Sequence, residues 1–271
     1  MYTVKDLKKD IAALGIKEGD TIVVHSSFKS LGELEKGADT IISALMEAVG
    51  KEGTVVFPTL CSNDWANVYK NWNLDAPSDV GYLTNYFRKL PGAIRSNQAT
   101  HSVAAIGKEA EYITKNHGET GRIPGPFGDT CFSEDSPWEK LCELDAKVLL
   151  IGVGPRKITL RHLAEYRILG KYLKIAKKYG KFDEFKNELW LYERWDDGGV
   201  NSMINPEIVE EKTVHLATKG KIGDAECQLY GANDFVDLCE GAIENRIEGW
   251  MLPKTEEGLF DWIDRIKALA G

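Results

Sequence analysis

Residues 158–165, reading ITLRHLAE, hold the side chains best suited to chemistry. They follow an almost wholly apolar run, 147–154 (KVLLIGVG), with the pattern of a buried strand. After Gly152, Gly154 and Pro155 the pattern becomes helical, with Thr159 expected as N-cap. That places His162 in the first helical turn and Glu165 three residues on, on the same face. An imidazole at the positive end of a helix is biased towards its neutral form, the form a general base needs. A carboxylate within reach can fix its tautomer and stabilise the imidazolium formed during turnover. Capping and local pairing account for the same two residues without catalysis, so the surrounding elements have to decide.

The elements before this stretch alternate. Residues 3–14 have helical spacing at Leu7, Ile11 and Leu14, and 21–25 (TIVVH) form a β-branched strand running into the loop 26–32 (SSFKSLG). A helix at 39–49 and a strand at 54–58 (TVVFP) repeat the pattern. Residues 61–79 are rich in Asn, Asp and Trp, without a clean period, and read as a long loop suited to substrate binding or to surface packing. Helical segments at 82–90 and 108–115 flank a strand-like half at 102–106, and 118–128 is a Gly/Pro-rich loop. A helix starts near Pro137, an alternating strand is expected at 189–195 (LWLYERW) with a turn at 196–199, and 204–219 is mixed. A last strand falls within 221–230, and helices cover 232–245 and 256–269. Alternation of this kind implies an α/β domain, 1–271, with 180–230 as a candidate small subdomain.

The totals exclude several classes. A formal net charge of −8 argues against a nucleic-acid partner, which calls for a basic stripe, and weakly favours a cationic ligand. Five cysteines without C-x-x-C spacing suggest reduced thiols and no zinc site, and no histidine pair has metal-ligand spacing. The start, MYTVKDLKKDIAALG, reads as an amphipathic helix rather than a signal peptide, and no apolar run approaches membrane-spanning length. The expectation is a cytoplasmic protein that needs no metal, acting as a monomer or homodimer.

Familiar motifs fail. The third glycine of a dinucleotide loop is replaced by Lys157, and both the Walker pattern and the nucleophile elbow are absent. Ser26–Lys29 satisfies S-x-x-K, the penicilloyl-serine hydrolase pattern, but neither partner motif follows.

Seven pieces remain in order: HSSFKSLG (25–32), PTL (58–60), RS (95–96) with HSVAAIG (101–107), DSPWEKL (135–141), VLLIGVG (148–154), TLRHLAE (159–165) and IGDAECQLY (222–230). Together they resemble the aminoglycoside 3-N-acetyltransferase family. The resemblance implies a three-layer α/β/α fold with a mixed central sheet, distinct from the GCN5-like acetyltransferases. It implies transfer of the acetyl group of acetyl-CoA, a co-substrate, to an amine, with an aminoglycoside as the leading acceptor. His162 matches the family histidine and is the expected base, an effect worth about 10²–10⁴-fold. Glu165 is the expected orienting carboxylate, and Asp196 a second carboxylate near the amine. The loop bearing His25, Ser26, Ser27 and Ser30 is expected against the coenzyme, its serines and amides serving the oxyanion. Arg95, Ser96, Ser102 and Ser136 match further positions near the coenzyme, and a guanidinium suits phosphate. Asp64, Trp65 and Asp197 are expected to receive a polycation.

Departures limit the resemblance. Gln98 and Ala99 stand where some members have His-Pro, and Leu163 where some have a second histidine. Acetylation of a different amino compound, or a catalytically idle coenzyme A-binding protein on the same scaffold, are the rival readings. Retention of His162 and Glu165 counts against the second.

Overall fold

The computed structural model describes residues 1–61, 72–120, 130–188 and 203–271. At its centre lies a seven-stranded mixed sheet. Its strands are β1 (Thr21–Ser26), β2 (Thr54–Pro58), β3 (Ile94–Arg95), β4 (Val103–Gly107), β5 (Lys147–Ile151), β6 (Thr218–Ile222) and β7 (Ala225–Gly231). Their spatial order is β3-β4-β2-β1-β5-β7-β6. The middle three, β2-β1-β5, are parallel, with Val23 opposite both Val56 and Val148. Each flank is closed by antiparallel strands.

Both faces of the parallel centre are buried, which is why its strands read as unbroken apolar runs. Ile22, Val24, Val55, Phe57, Leu149 and Ile151 pack against α1 (Val4–Ala13), α2 (Ala38–Val49) and α3 (Tyr82–Phe87). The alternate residues Val23, Val56, Val148 and Leu150 face the opposite layer. That layer holds α4 (Ala110–Thr114), α5 (Pro137–Glu143), α6 (Leu160–Lys178), α7 (Phe182–Asn187), α8 (Pro206–Lys212), α9 (Ala232–Glu244) and α10 (Pro253–Ala268). The three-layer α/β/α arrangement with a mixed sheet is thus the one expected. No described helix is long and apolar enough to cross a membrane.

Three local differences bear on the site. The last strand is a hairpin: β6 and β7 are joined through Gly223 and Asp224, with Gly223 at φ 58°, as a two-residue turn demands. The edge strand β6 is largely exposed, so it carries lysines rather than an apolar alternation, and residues 218–222 escape pattern reading. Next, β5 stops at Ile151 because Gly152 turns the chain at φ 61°. A Cβ there would lie 2.0 Å from the Ser30 hydroxyl oxygen, so only glycine allows this approach of loop to strand end. Finally, Thr159 does not cap α6: its backbone is already helical (φ −67°, ψ −28°) and its side chain makes no capping bond. A 3₁₀ turn, Pro155–Lys157, leads into the helix instead.

Candidate active site

His162 is the third residue of α6, in its first turn, and Glu165 lies one turn further on. The His162 Nδ1 is 2.8 Å from Glu165 Oε2. The other oxygen, Oε1, accepts the backbone N–H groups of Met203 and Ile204, each at 2.8 Å. Those two residues are tied to the start of α10, where the Leu252 N–H donates to the Met203 carbonyl at 2.8 Å. Glu165 is only 1% exposed, and its carboxylate is held from both sides, as burial of such a group requires. With Oε1 taking two backbone donors, the carboxylate is the acceptor towards His162, so Nδ1 is the donor. A neutral imidazole in this tautomer keeps its lone pair on Nε2, as a general base must.

His162 borders a cleft of about 570 Å³. Its walls come from His25 and Ser26 at the end of β1, Pro58 at the end of β2, residues 79–81, His101, and the segment following β5. It therefore opens at the carboxyl ends of the parallel strands, where open α/β sheets place their ligands. His25 is pulled down to about 4 by burial and by the nearby Arg161 charge, and its Nε2 is buried without a partner.

His101 is a third imidazole of the cleft, its ring centroid 6.0 Å from that of His162. Gln98 Oε1 accepts from the N–H of Thr100 (2.9 Å), the Thr100 hydroxyl (3.0 Å) and the N–H of His101 (2.6 Å). Its proton thus spent, the Thr100 hydroxyl can only accept from His101 Nδ1 at 2.9 Å. His101 is thereby held as the Nδ1–H tautomer, and burial, followed by the charges of His162, His117 and Arg161, keeps its pKa well below the ordinary imidazole value. Phe132 packs on both rings, at 4.9 Å from His101 and 5.8 Å from His162.

The sequence-predicted residues divide sharply. His25, Ser26 and His162 line the cleft. Ser27 and Ser30 support it: the Ser27 N–H donates to the Ile151 carbonyl at 2.8 Å, and the Ser30 hydroxyl donates to the Ser27 carbonyl at 2.7 Å. The Ser27 amide is thus engaged within the scaffold rather than offered to an oxyanion.

Arg95, expected near the coenzyme, is engaged with the scaffold. Its guanidinium donates to the carbonyls of Thr59 (2.8 Å), Leu74 (2.9 Å) and Ala76 (2.5 Å) and to the Thr59 hydroxyl (3.1 Å), and lies over Trp72. It pins residues 72–76 to the end of β2. Ser96 accepts from the Val103 N–H at 2.9 Å and pairs with His117 Nδ1 at 2.8 Å. Ser102 donates to the Thr59 carbonyl at 3.1 Å, and Ser136 caps α5 by accepting from the Glu139 N–H at 3.3 Å. These four are interior scaffold and none lines the cleft. Asp64, Trp65, Asp196 and Asp197 lie outside the described residues.

Sequence reasoning missed the cleft's cations, Arg156, Lys157 and Arg161, while Asp79, one of the acids beside the Asn- and Trp-rich loop that suit a polycation, lies on the cleft wall. The signal was the adjacent Arg-Lys pair with a third basic residue immediately before His162. It also missed Met203 and Ile204, which act through backbone amides and leave no mark in residue type.

Fold and site together define an α/β/α protein with a carboxylate-oriented histidine in a strand-end cleft. The family model for aminoglycoside 3-N-acetyltransferases matches residues 23–244, and the chain belongs to that family. The SPbeta prophage-derived aminoglycoside N(3')-acetyltransferase-like protein YokD of Bacillus subtilis is 30% identical over 260 residues, spanning 88% of this chain and 91% of that one. An aminoglycoside N(3)-acetyltransferase III from Salmonella is 32% identical over 279 residues, spanning 87% and 89%. The crystal structure of YokD shares the fold with a TM-score of 0.66 at 25% identity, over 90% of this chain and 93% of that one. The binary complex of AAC-IIIb with CoASH does so with a TM-score of 0.67 at 23% identity, over 90% and 97%.

Proposed function

We propose that the protein transfers the acetyl group of acetyl-CoA to an amino group of a small polycationic acceptor, the 3-amino group of an aminoglycoside, with His162 as general base. The observation that carries this reading is the pair His162 Nδ1–Glu165 Oε2 at 2.8 Å, backed by two backbone N–H groups on Oε1. An ammonium must lose a proton before its nitrogen becomes a nucleophile, and Nε2 of an imidazole held in this way is positioned to take it. Family membership and relatives named for aminoglycoside N(3)-acetylation supply the substrate class.

Acetyl-CoA supplies the activated acyl group as its thioester. Ser26 and His25, on the cleft wall beside His162, are the residues of this chain placed to meet it. Glu165 stabilises the imidazolium after proton uptake, and His162 returns the proton to the departing thiolate. Burial depresses the pKa of His25 and of His101, which makes each a weak proton acceptor and leaves the base's role to His162.

The test is thiol release from acetyl-CoA in the presence of sisomicin and a panel of other amines. Release should require the amine, and His162→Ala should lose at least about tenfold in rate, a modest bound for removing a general base. An undiminished rate in that variant refutes the assignment. Coenzyme binding without any amine-dependent release favours an idle scaffold.

A further inference from the structure

Among the described residues the charges of the cleft do not match a purely polycationic ligand: Arg156, Lys157 and Arg161 line it, against the single acid Asp79. Arg156 and Lys157 are exposed at the surface end, whereas Arg161 runs inward. Among the described residues none of the three has a carboxylate within salt-bridge distance, in contrast to Arg167, which pairs with Glu139 at 2.6 Å and Glu240 at 3.4 Å.

Arg161 is the unusual member. Its Nη1 donates to the Arg156 carbonyl, which fixes the guanidinium against the turn that enters α6, while its Nε is buried without a partner. Burial lowers its pKa, and Glu165, already committed to His162 and two backbone amides, raises it through space alone. A buried guanidinium with an unpartnered N–H is costly unless an anion meets it.

Arg161 and His162 both line the cleft, so an anion on Arg161 shares that space with the amine that His162 deprotonates. The diphosphate of acetyl-CoA is separated from the thioester by the full length of the pantetheine arm. With the thioester at His162, the arm carries the diphosphate away from Arg161. The anion is therefore best supplied by the acceptor.

We propose that the cleft also accepts amines that carry a phosphate or carboxylate group near the reacting nitrogen, with Arg161 binding that group and Arg156 and Lys157 drawing it in. This acceptor class rests on the acetyltransferase reading and extends it beyond polycations. The balance is that of any amine acetylation: the N–C bond forms, the C–S bond breaks, one of the two protons the ammonium loses passes through His162 to the departing thiolate, and the other goes to solvent.

The experiment compares kcat/KM for glucosamine 6-phosphate and glucosamine, with sisomicin as a third acceptor. The phosphate ester should be preferred by at least about tenfold, the effect of one charge-assisted hydrogen bond. Arg161→Gln should bring the two values together by raising KM for the ester. Arg156→Gln and Lys157→Gln, at exposed positions, should each lower the preference in part, and they carry the test if Arg161→Gln fails to fold. Equal values in the unmodified protein overturn the proposal. So does an Arg161→Gln variant that keeps the preference but raises KM for acetyl-CoA, since Arg161 would then serve the coenzyme. If sisomicin and every other amine fail to release thiol, the acetyltransferase reading fails separately. Calorimetry then decides the anion site: tighter binding of glucosamine 6-phosphate than of glucosamine supports it, and equal binding overturns it.

Discussion

Glu165→Gln separates what Glu165 does for His162 from what it does for the fold. Among the described residues the carboxylate accepts three hydrogen bonds: one from His162 Nδ1 at 2.8 Å and two from the N–H groups of Met203 and Ile204 at 2.8 Å each. A glutamine has nearly the same shape but one acceptor and one donor end. If its NH₂ faced Met203 and Ile204, donors would meet donors, so its oxygen must take that side. The NH₂ then faces His162, and Nδ1 must turn from donor to acceptor. The imidazole proton moves to Nε2, the lone pair leaves the cleft side, and the base is lost. All three hydrogen bonds survive without the negative charge, so the stability loss should be about 1–2 kcal/mol. The rate loss should be far larger, about 10²–10⁴-fold, the scale seen when a tautomer-fixing carboxylate becomes an amide. Glu165→Ala differs in kind, because it strands two buried N–H groups at about 1–3 kcal/mol each and should unfold the chain at markedly lower temperature. Thiol release gives the rates, thermal unfolding the stabilities, and ¹⁵N spectra of the His162 ring the tautomer. A Glu165→Gln protein with an undiminished rate, or with Nδ1 still protonated in its neutral form, refutes the reasoning.

The buried histidine His117 predicts an acid-sensitive fold. It is pulled down to about 3 by burial, against an ordinary 6.5, and is 1% exposed. Its contribution is complete above about pH 6.5. As pH falls below that, the unfolded chain takes up a proton the folded one cannot, costing about 1.4 kcal/mol per pH unit until the folded group titrates near 3. Denaturant unfolding at pH 7 and pH 5 should show about 2 kcal/mol from this residue, and His117→Gln should flatten the slope; an identical slope in both proteins counts against it. Arg95→Lys should destabilise by about 2–3 kcal/mol, because an ammonium cannot serve the separated carbonyls of Thr59, Leu74 and Ala76; a neutral outcome in thermal unfolding would return Arg95 to a ligand role. Thr3→Ala should cost about 1 kcal/mol in the same assay, since Thr3 and Asp6 form the reciprocal cap of α1.

The parts legible in sequence are those whose signal is local. The central strands declare themselves because Val23 and Val56 must be apolar on one face while Ile22 and Val55 are apolar on the other. His162 and Glu165 declare themselves because helical spacing alone brings i and i+3 together. Partners joined only by the fold stay hidden. The amides that fix Glu165 come from 38 and 39 residues away, and an amide carries no residue type to recognise. The same distinction applies to Arg95. A guanidinium suits a phosphate, but it suits a cluster of carbonyls equally, and only the placement of Thr59, Leu74 and Ala76 around it separates the two. Arg161 presents the reverse case. In sequence it is one basic residue beside a more conspicuous histidine, and its meaning depends on a buried Nε with no acceptor near it. Residue type therefore identifies a candidate ligand contact, and the state of its donors separates the cases: Arg95 has spent them on the scaffold, whereas Arg161 keeps a buried Nε without a partner beside the cleft.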